Sequence, residues 1–187
     1  MEWHDRYALN PRPFGEEPTP FLREVFEHPS SFGVPDRPLR ILCPGDGYGR
    51  NGLWLARRGH SVAALDLVPA AVDAAMATAI SEGVDYESIP ADLSRPPVPL
   101  APGATFDLIV TAWVRLVDPS ARRAWNAECA RRLGAGGAVI LIGGRRVTDT
   151  PAEQSEWPRS LRWQDFSTDD EVRVIGRKEA PGLTAGA

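Results

Sequence analysis

Residues 40–66 read RILCPGDGYGRNGLWLARRGHSVAALD, and their order decides the fold. Leu39 to Cys43 is apolar and β-prone apart from Arg40. Gly45, Gly47 and Gly49 then alternate with Asp46 and Tyr48. Glycine lets the backbone turn sharply and approach a ligand with no Cβ in the way. Asn51 to Arg58 has helical spacing, with Leu53, Trp54 and Ala56 for packing, and Arg57 and Arg58 near its C-terminus, where cations suit the helix dipole. Gly59 ends it, and Ser61 to Leu65 is a second strand closed by Asp66. A strand–turn–helix–strand unit with an acid about 20 residues after the glycines is a nucleotide-binding arrangement. The glycines admit the ligand, and the acid can accept hydrogen bonds from a ribose diol.

Two cofactor classes share this arrangement. Gly47, Gly49 and Gly52 match the dinucleotide pattern G-x-G-x-x-G, while Gly45, Gly47 and Gly49 match the G-x-G-x-G pattern of S-adenosylmethionine (SAM) sites. With 17 glycines in 187 residues, neither match decides the matter, and the order of the remaining elements must.

Val68 to Glu82 is Ala-rich with apolar residues at helical spacing, and Gly83 caps it. Val84 to Pro90 reads as a third strand, followed by Ala91-Asp92-Leu93. Pro96, Pro97, Pro99 and Pro102 make Ser94 to Gly103 a loop. Thr105 to Ala112 contains FDLIV, a continuous apolar run suited to a buried parallel strand. Asp118-Pro119-Ser120 starts a helix running to about Leu133, broken by Gly134, Gly136 and Gly137 before a fifth strand over Ala138 to Ile142. Leu161 to Phe166 and Glu171 to Arg177 follow as two strands with no helix between them. The expected fold is α/β: a Rossmann-like three-layer sandwich around a mostly parallel seven-stranded sheet with a C-terminal antiparallel pair. The linker Gly143 to Ser160 contains Pro151 and Pro158, so the helix before strand six should be reduced or missing.

Composition narrows the function. A chain of 187 residues with 43% hydrophobic content reads as one domain with a real core. Residues 1–38 form an N-terminal lid segment, 39–178 the main domain and 179–187 a frayed tail. A net charge of −4 supplies no general attraction for nucleic acid. Of 21 basic residues only Lys178 is lysine, a skew typical of a GC-rich genome. No apolar run approaches the 18 or so residues of a membrane span, and the polar start is unlike a signal peptide. Cys43 and Cys129 lack metal-ligand spacing, which leaves two reduced thiols in a cytoplasmic protein and no expected metal.

At this point the chain resembles the class I SAM-dependent methyltransferases. Within them it is similar to the small branch of tellurite-resistance and thiopurine methyltransferases. The matching features are Gly47 to Asn51, Trp54 to Gly59, Asp66, Ala91-Asp92-Leu93, Phe106-Asp107 and the Leu133 to Gly137 turn. Trp3 to Tyr7 and Phe14 to Pro18 resemble that branch's lid. The resemblance implies that Gly45, Asp46, Gly47, Tyr48 and Gly49 face the methionine part of SAM. It implies that Asp66, with Leu67 beside it, binds the ribose, and that Asp92 and the Leu93 backbone meet the adenine edge. Thr111 to Arg115 would border the methyl group and the acceptor, with Trp113 and Arg115 toward the acceptor. Most of the class carries an acid where this chain has Cys43, and Gly-Cys-Gly where it has Gly45-Asp46-Gly47. Asp46 then offers a carboxylate for the cofactor's ammonium on grounds of charge complementarity.

Simpler roles compete for the same residues. Asp66 suits a cap for the helix after Val68, Asp92 a turn cap, Cys43 plain strand core, and Tyr7 and Phe14 local packing. No general base is obvious, with His4, Asp5 and Tyr7 as the candidates in the lid. The expected acceptor is a small molecule, soft or anionic, with Arg115 and Arg145 or Arg146 favouring an anion. A thinly covered sheet edge makes a homodimer an expectation. Two alternatives stand beside this reading. A reductase of the NAD class would want a Tyr-x-x-x-Lys pair, and Val174 stands four residues before the only lysine. An inactive methyltransferase-like binding protein would fit the substitution at Cys43.

Overall fold

The computed structural model describes residues 3–10, 12–114, 116–144 and 157–179. Arg115, Arg145, Arg146, most of the linker before strand six, and the tail from residue 180 onward lie outside them.

Seven strands form one sheet: β1 (Arg40–Pro44), β2 (Ser61–Asp66), β3 (Tyr86–Pro90), β4 (Phe106–Ala112), β5 (Leu133–Gly144), β6 (Leu161–Asp165) and β7 (Glu171–Lys178). Their order is β3-β2-β1-β4-β5-β7-β6, with the first five parallel and β7 antiparallel to both its neighbours. Beside the strands lie α1 (Trp3–Leu9), α2 (Pro20–Glu27), a 3-10 turn (Pro29–Phe32), α3 (Gly52–Arg57), α4 (Pro69–Glu82) and α5 (Pro119–Arg132). The expected Rossmann-like fold with its antiparallel end is therefore present.

Strand alternation sorts the core into two layers. Ile41, Cys43, Val62, Ala64, Leu108 and Val110 pack with α2, α3 and α4 on one face. Leu42, Leu65, Ile109, Val139 and Leu141 pack on the other with Trp125 and Cys129 of α5 and with Leu93, Val98 and Trp157 from loops. The helices carry ordinary boundary chemistry. Pro69 and Pro119 occupy first-turn positions, where a missing N–H costs nothing. Gly83 closes α4 at φ +66°, and Asp118 caps α5 by accepting from Ala121 N at 2.8 Å. The one lysine closes the other end of α5: Lys178 Nζ donates to the Ala130 and Leu133 carbonyls at 3.0 and 2.7 Å.

Two elements depart from the sequence expectations. The glycines after α5 lie within β5, which begins at Leu133 rather than Ala138. Phe106 pairs with Leu133, and the register then jumps so that Leu108 pairs with Ala138. A Cβ on Gly137 would stand 3.0–3.2 Å from the carbonyl oxygens of Gly134, Asp107 and Phe106, a tight fit at the irregular crossing that glycine relieves. The N-terminal stretch also divides. Phe21, Leu22 and Val25 of α2 are fully buried, whereas α1 buries no residue. Of the described residues before β1, Trp3, Tyr7, Phe14 and Thr19 reach the sheet's open end.

Candidate functional site

A cleft of about 900 Å³, open to solvent, lies at the C-terminal ends of β1, β2 and β4 under the N-terminal segment. Ligands of open parallel sheets bind at this end, where the strand order reverses. Gly45, Asp46, Tyr48, Asp66, Leu67, Asp92 and Leu93 line one side. Trp3, Tyr7 and Phe14 from the N-terminal segment and Trp113, Val114 and Leu116 after β4 line the rest.

The turn after β1 is built from left-handed glycines, with Gly45, Gly47 and Gly49 at φ +67°, +59° and +85°. A Cβ at Gly45 would come within 2.6 Å of Val114 Cγ2, and one at Gly47 within 2.7 Å of the Tyr7 hydroxyl. Gly45 therefore lies under the loop after β4, and Gly47 under Tyr7 of α1. Gly47 and Gly49 do not themselves line the cleft: Tyr7 covers the first, while the second faces Leu53 and Tyr86.

Asp66 is 6% exposed. Its carboxylate accepts from Gly47 N at 2.8 Å and from Val68 N at 3.0 Å. The acid at the end of β2 thus ties the glycine turn to the entrance of α4. The Leu67 backbone also donates to it, and an ionised carboxylate has about four lone-pair sites, so acceptor capacity is left for a ligand. Burial raises its pKa, against the lowering effect of the backbone donors. Asp92 lies in a more open turn, accepts from Ser94 N and Oγ at 2.9 and 2.6 Å, and stands 3.3 Å from Arg95 Nε. These hydrogen bonds hold its pKa below the usual carboxylate range. Both acids combine a capping bond with a place on the cleft wall.

Asp46 is the chief surprise. Its oxygens accept from Gly52 N at 3.1 Å and from the Tyr86 hydroxyl at 3.0 Å. The carboxylate that charge complementarity assigns to a ligand ammonium is turned beneath the turn, onto the start of α3. Burial pushes its pKa up to about 7, with the nearby Asp66 adding to the rise. Gly52 is the matching half of this contact: a Cβ there would meet an Asp46 oxygen and stand 2.6 Å from Tyr86 Cε2. Gly→Ala at the start of a helix ordinarily stabilises, but here overpacking decides. Gly52→Ala should cost about 1–3 kcal/mol, read by urea denaturation. A neutral or stabilising result would mean that Asp46 and Tyr86 can move aside.

The structure brings Tyr7 and Trp113 to the cleft but not His4, which is exposed on α1 and off the lining. Its charge reaches Asp66 only at longer range. Tyr7 stacks edge-on against Tyr48, with ring centroids 4.8 Å apart. Burial and the charge of Asp66 raise the Tyr7 pKa further above neutrality. The same two causes push Tyr48 up to about 12. At neutral pH Tyr7 is therefore a phenol that can donate a hydrogen bond, and a poor base. Trp113 has φ +60°, alone among described non-glycine residues in that region. Its N–H donates to Ile142 O at 2.8 Å and its ring lies on Gly144. A bulky residue held in this strained conformation is a fixed wall at the end of β4. Thr111 does not line the cleft, because alternation along β4 turns its side chain to the face opposite Ala112. Arg115 lies outside the described residues.

Sequence reasoning missed the residues that anchor the N-terminal segment. Asn51 Oδ1 accepts from Thr19 N and Oγ1 at 2.9 and 3.0 Å, all buried. Arg50 donates to Phe14 O at 2.9 Å and to Thr19 Oγ1 at 3.2 Å. The sequence carries no signal for them: Asn51 stands at the cap position of α3, and only the fold shows its side chain leaving that helix for Thr19.

A profile of the methyltransferase domain family matches residues 41–137, just over half of the chain. The chain belongs to the methyltransferase domain family. Its sheet order and antiparallel end give this methyltransferase the class I SAM-dependent fold. A search of curated proteins gives no match. Among solved structures it is similar to a TehB-like SAM-dependent methyltransferase from Corynebacterium glutamicum, at 22% identity over 94% of this chain and 98% of that one, TM-score 0.67. It is also similar to the N-methyltransferase NodS from Bradyrhizobium japonicum, in complex with S-adenosylhomocysteine (SAH), at 18% identity over 93% and 95%, TM-score 0.71. Against the 16S rRNA methyltransferase RsmC of T. thermophilus it aligns at 21% identity over 89% of its own length and 45% of RsmC, TM-score 0.70. At these identities the likeness is one of fold.

The cleft fits the cofactor of this class. Two acids reach its wall with acceptor capacity left, Gly45 of the turn borders it, and the exposed Leu67 side chain offers an apolar face beside them. A molecule with a ribose diol, a flat base and a positive sulfonium matches those groups. The NAD reading loses its only lysine, since Lys178 closes α5 and does not line the cleft.

Proposed function

We propose that this methyltransferase transfers a methyl group from SAM to a small-molecule acceptor, in the manner of the small tellurite-resistance and thiopurine branch. The observation that carries the reading is the single cleft in which Asp66, Asp92 and the glycine turn face an aromatic wall from the lid and the loop after β4. Asp66 would accept from the ribose hydroxyls and Asp92 from the adenine edge, with Leu67 and Leu93 flanking the base. Gly45 and Tyr48 would border the methionine part. Alignment over nearly the full length of the TehB-like protein supports the branch. The net charge of −4, and a described lining with three acids and Arg50 as its one cation, favour a small acceptor over nucleic acid.

SAM supplies an electrophilic methyl on its sulfonium, so the chain's task is mainly orientation and exclusion of water. Trp3, Tyr7 and Phe14 shield the cleft from one side, and Trp113 fixes the other. Tyr7, protonated at neutral pH, can donate to the acceptor or to the cofactor. With Asp66 and Asp92 given to the cofactor and Asp46 engaged by Gly52 and Tyr86, the described lining leaves no carboxylate for the acceptor, which favours an acceptor atom already nucleophilic, such as a thiolate or another soft anion. The buried free thiols Cys43 and Cys129 suit a cytoplasmic setting. The β6 edge is the surface on which a homodimer would form.

Calorimetry should show binding of SAM and SAH and none of NAD. A transfer screen over thiols, chalcogen anions and small amines should return a small acceptor. NAD binding without SAM binding would reverse the assignment, and a best acceptor that is protein or RNA would overturn the substrate class.

A further inference from the structure

The N-terminal segment is held by residues of the same turn that borders the cofactor side of the cleft. Tyr7 covers Gly47 and stacks on Tyr48, Arg50 grips Phe14 and Thr19, and Asn51 holds Thr19. These grips differ in kind. Thr19 is 1% exposed, and the helix that follows it buries Phe21, Leu22 and Val25, so this end of the segment is fixed. Residues before it have no such support, because α1 buries nothing and Leu9 is 75% exposed. Between the two lies Gly15 at φ +75°, with open space where a Cβ would be.

Arg50 spans the junction. One guanidinium nitrogen holds the Phe14 carbonyl on the loose side, and the other holds the Thr19 hydroxyl on the fixed side. The Phe14 ring lies 6.0 Å from the guanidinium carbon. Burial lowers the Arg50 pKa, and Asp46 and Glu171 offset this only through longer-range attraction. A half-buried cation held by a carbonyl, a hydroxyl and a ring is well placed only while the segment is down.

Resting on the SAM reading above, we propose that Arg50 is a positioning residue that clasps residues 3–14 over the cofactor turn, so that lid closure and cofactor retention are one coupled equilibrium. The segment swings about Gly15 to Pro18, and Arg50 together with the Tyr7–Tyr48 contact holds it shut. By linkage, whatever the closed lid adds to cofactor retention, the bound cofactor adds to closure.

The test uses the full chain and SAH as the probe. Arg50→Ala and Tyr7→Ala should each speed SAH release by about tenfold with little change in association, because each opens the same lid. SAH release from Arg50→Ala as slow as from the unmodified protein would show that the clasp does not govern retention and overturn the proposal. A second readout needs no ligand. Trypsin cleavage between Arg6 and Tyr7, inside α1, tracks the open population. Cleavage there should be faster in Arg50→Ala than in the unmodified protein, while cleavage at Arg23 in α2 stays slow. Unchanged cleavage at Arg6 would overturn the clasp even if SAH failed to bind, a failure that belongs to the cofactor assignment. Arg50→Lys, which keeps the charge but loses the two-pronged grip, should behave like Arg50→Ala in proteolysis; protection like that of the unmodified protein would mean that charge alone holds the lid.

Discussion

Asp66→Ala should weaken SAM binding by about 1.5–3 kcal/mol, roughly 10- to 150-fold, as expected for losing hydrogen bonds to a charged acceptor. The structure adds a second effect. The Gly47 and Val68 amides both donate to this carboxylate inside the protein, and alanine leaves them without it. Each buried N–H so orphaned costs about 1–3 kcal/mol, so thermal stability should fall as well. Asp92→Ala should be milder in stability, because its partners Ser94 N and Oγ sit in an exposed turn that water can reach. Calorimetry on the folded variant measures the binding effect, and urea denaturation the stability effect. Unchanged SAM affinity in folded Asp66→Ala would remove Asp66 from the cofactor site and leave it a cap for the turn and α4.

The second large effect is a pH dependence carried by Asp46. Its pKa is raised to about 7 in the folded protein, chiefly by burial. The folded state therefore holds its proton more tightly than the unfolded chain does. Stability is greatest below the unfolded pKa and is lost as pH rises through the folded one, a window from about pH 4 to pH 7. At 1.36 kcal/mol per unit the loss is on the order of 4 kcal/mol. Asp46→Asn removes the titration. Between pH 4 and pH 8 its stability should rise relative to the unmodified protein by on the order of 4 kcal/mol, read by urea denaturation at each pH. Parallel stability curves for the two proteins would mean that Asp46 is ionised throughout and that its partners, Gly52 N–H and Tyr86 O–H, fully offset burial. Asp66 shifts in the same direction and is coupled to Asp46 by charge, so the comparison reads Asp46 together with its repulsion on Asp66.

Much of the fold was legible in the residue pattern because the relevant signals are local. Apolar runs such as residues 106–110, and Gly83 and Pro119 at helix ends, act within a few residues of themselves. The same holds for the glycine turn and the acid closing β2, which sit one strand–helix–strand unit apart. Where the reading slipped, a distant partner decided. The glycines expected to end α5 cleanly became the irregular start of β5, because the chain there pairs with β4 and passes close to the Phe106 and Asp107 carbonyls. Thr111 was placed by its nearness to the end of β4, but the facing of a strand side chain depends on which side of the sheet the cleft occupies. Asp46 was assigned by charge alone. Its direction is set by Gly52 and by Tyr86, 40 residues away in sequence.

The sequence by itself determined a parallel nucleotide-binding sheet with an antiparallel end, a glycine turn and an acid at the end of β2, and its resemblance to the class I methyltransferases implied the cofactor. The sheet and the turn follow from backbone preference and apolar periodicity, which are properties of short segments. Only the tertiary structure decided that Asp46 lies under the turn, that Asp66 joins the turn to α4, that Trp113 is held in a strained conformation, and that Arg50 and Asn51 anchor the lid. Each of these depends on long-range packing that brings one side chain to a donor, acceptor or ring far away in the chain. A hydrogen bond acts only over about 3 Å, so its partner is known only once the chain has folded.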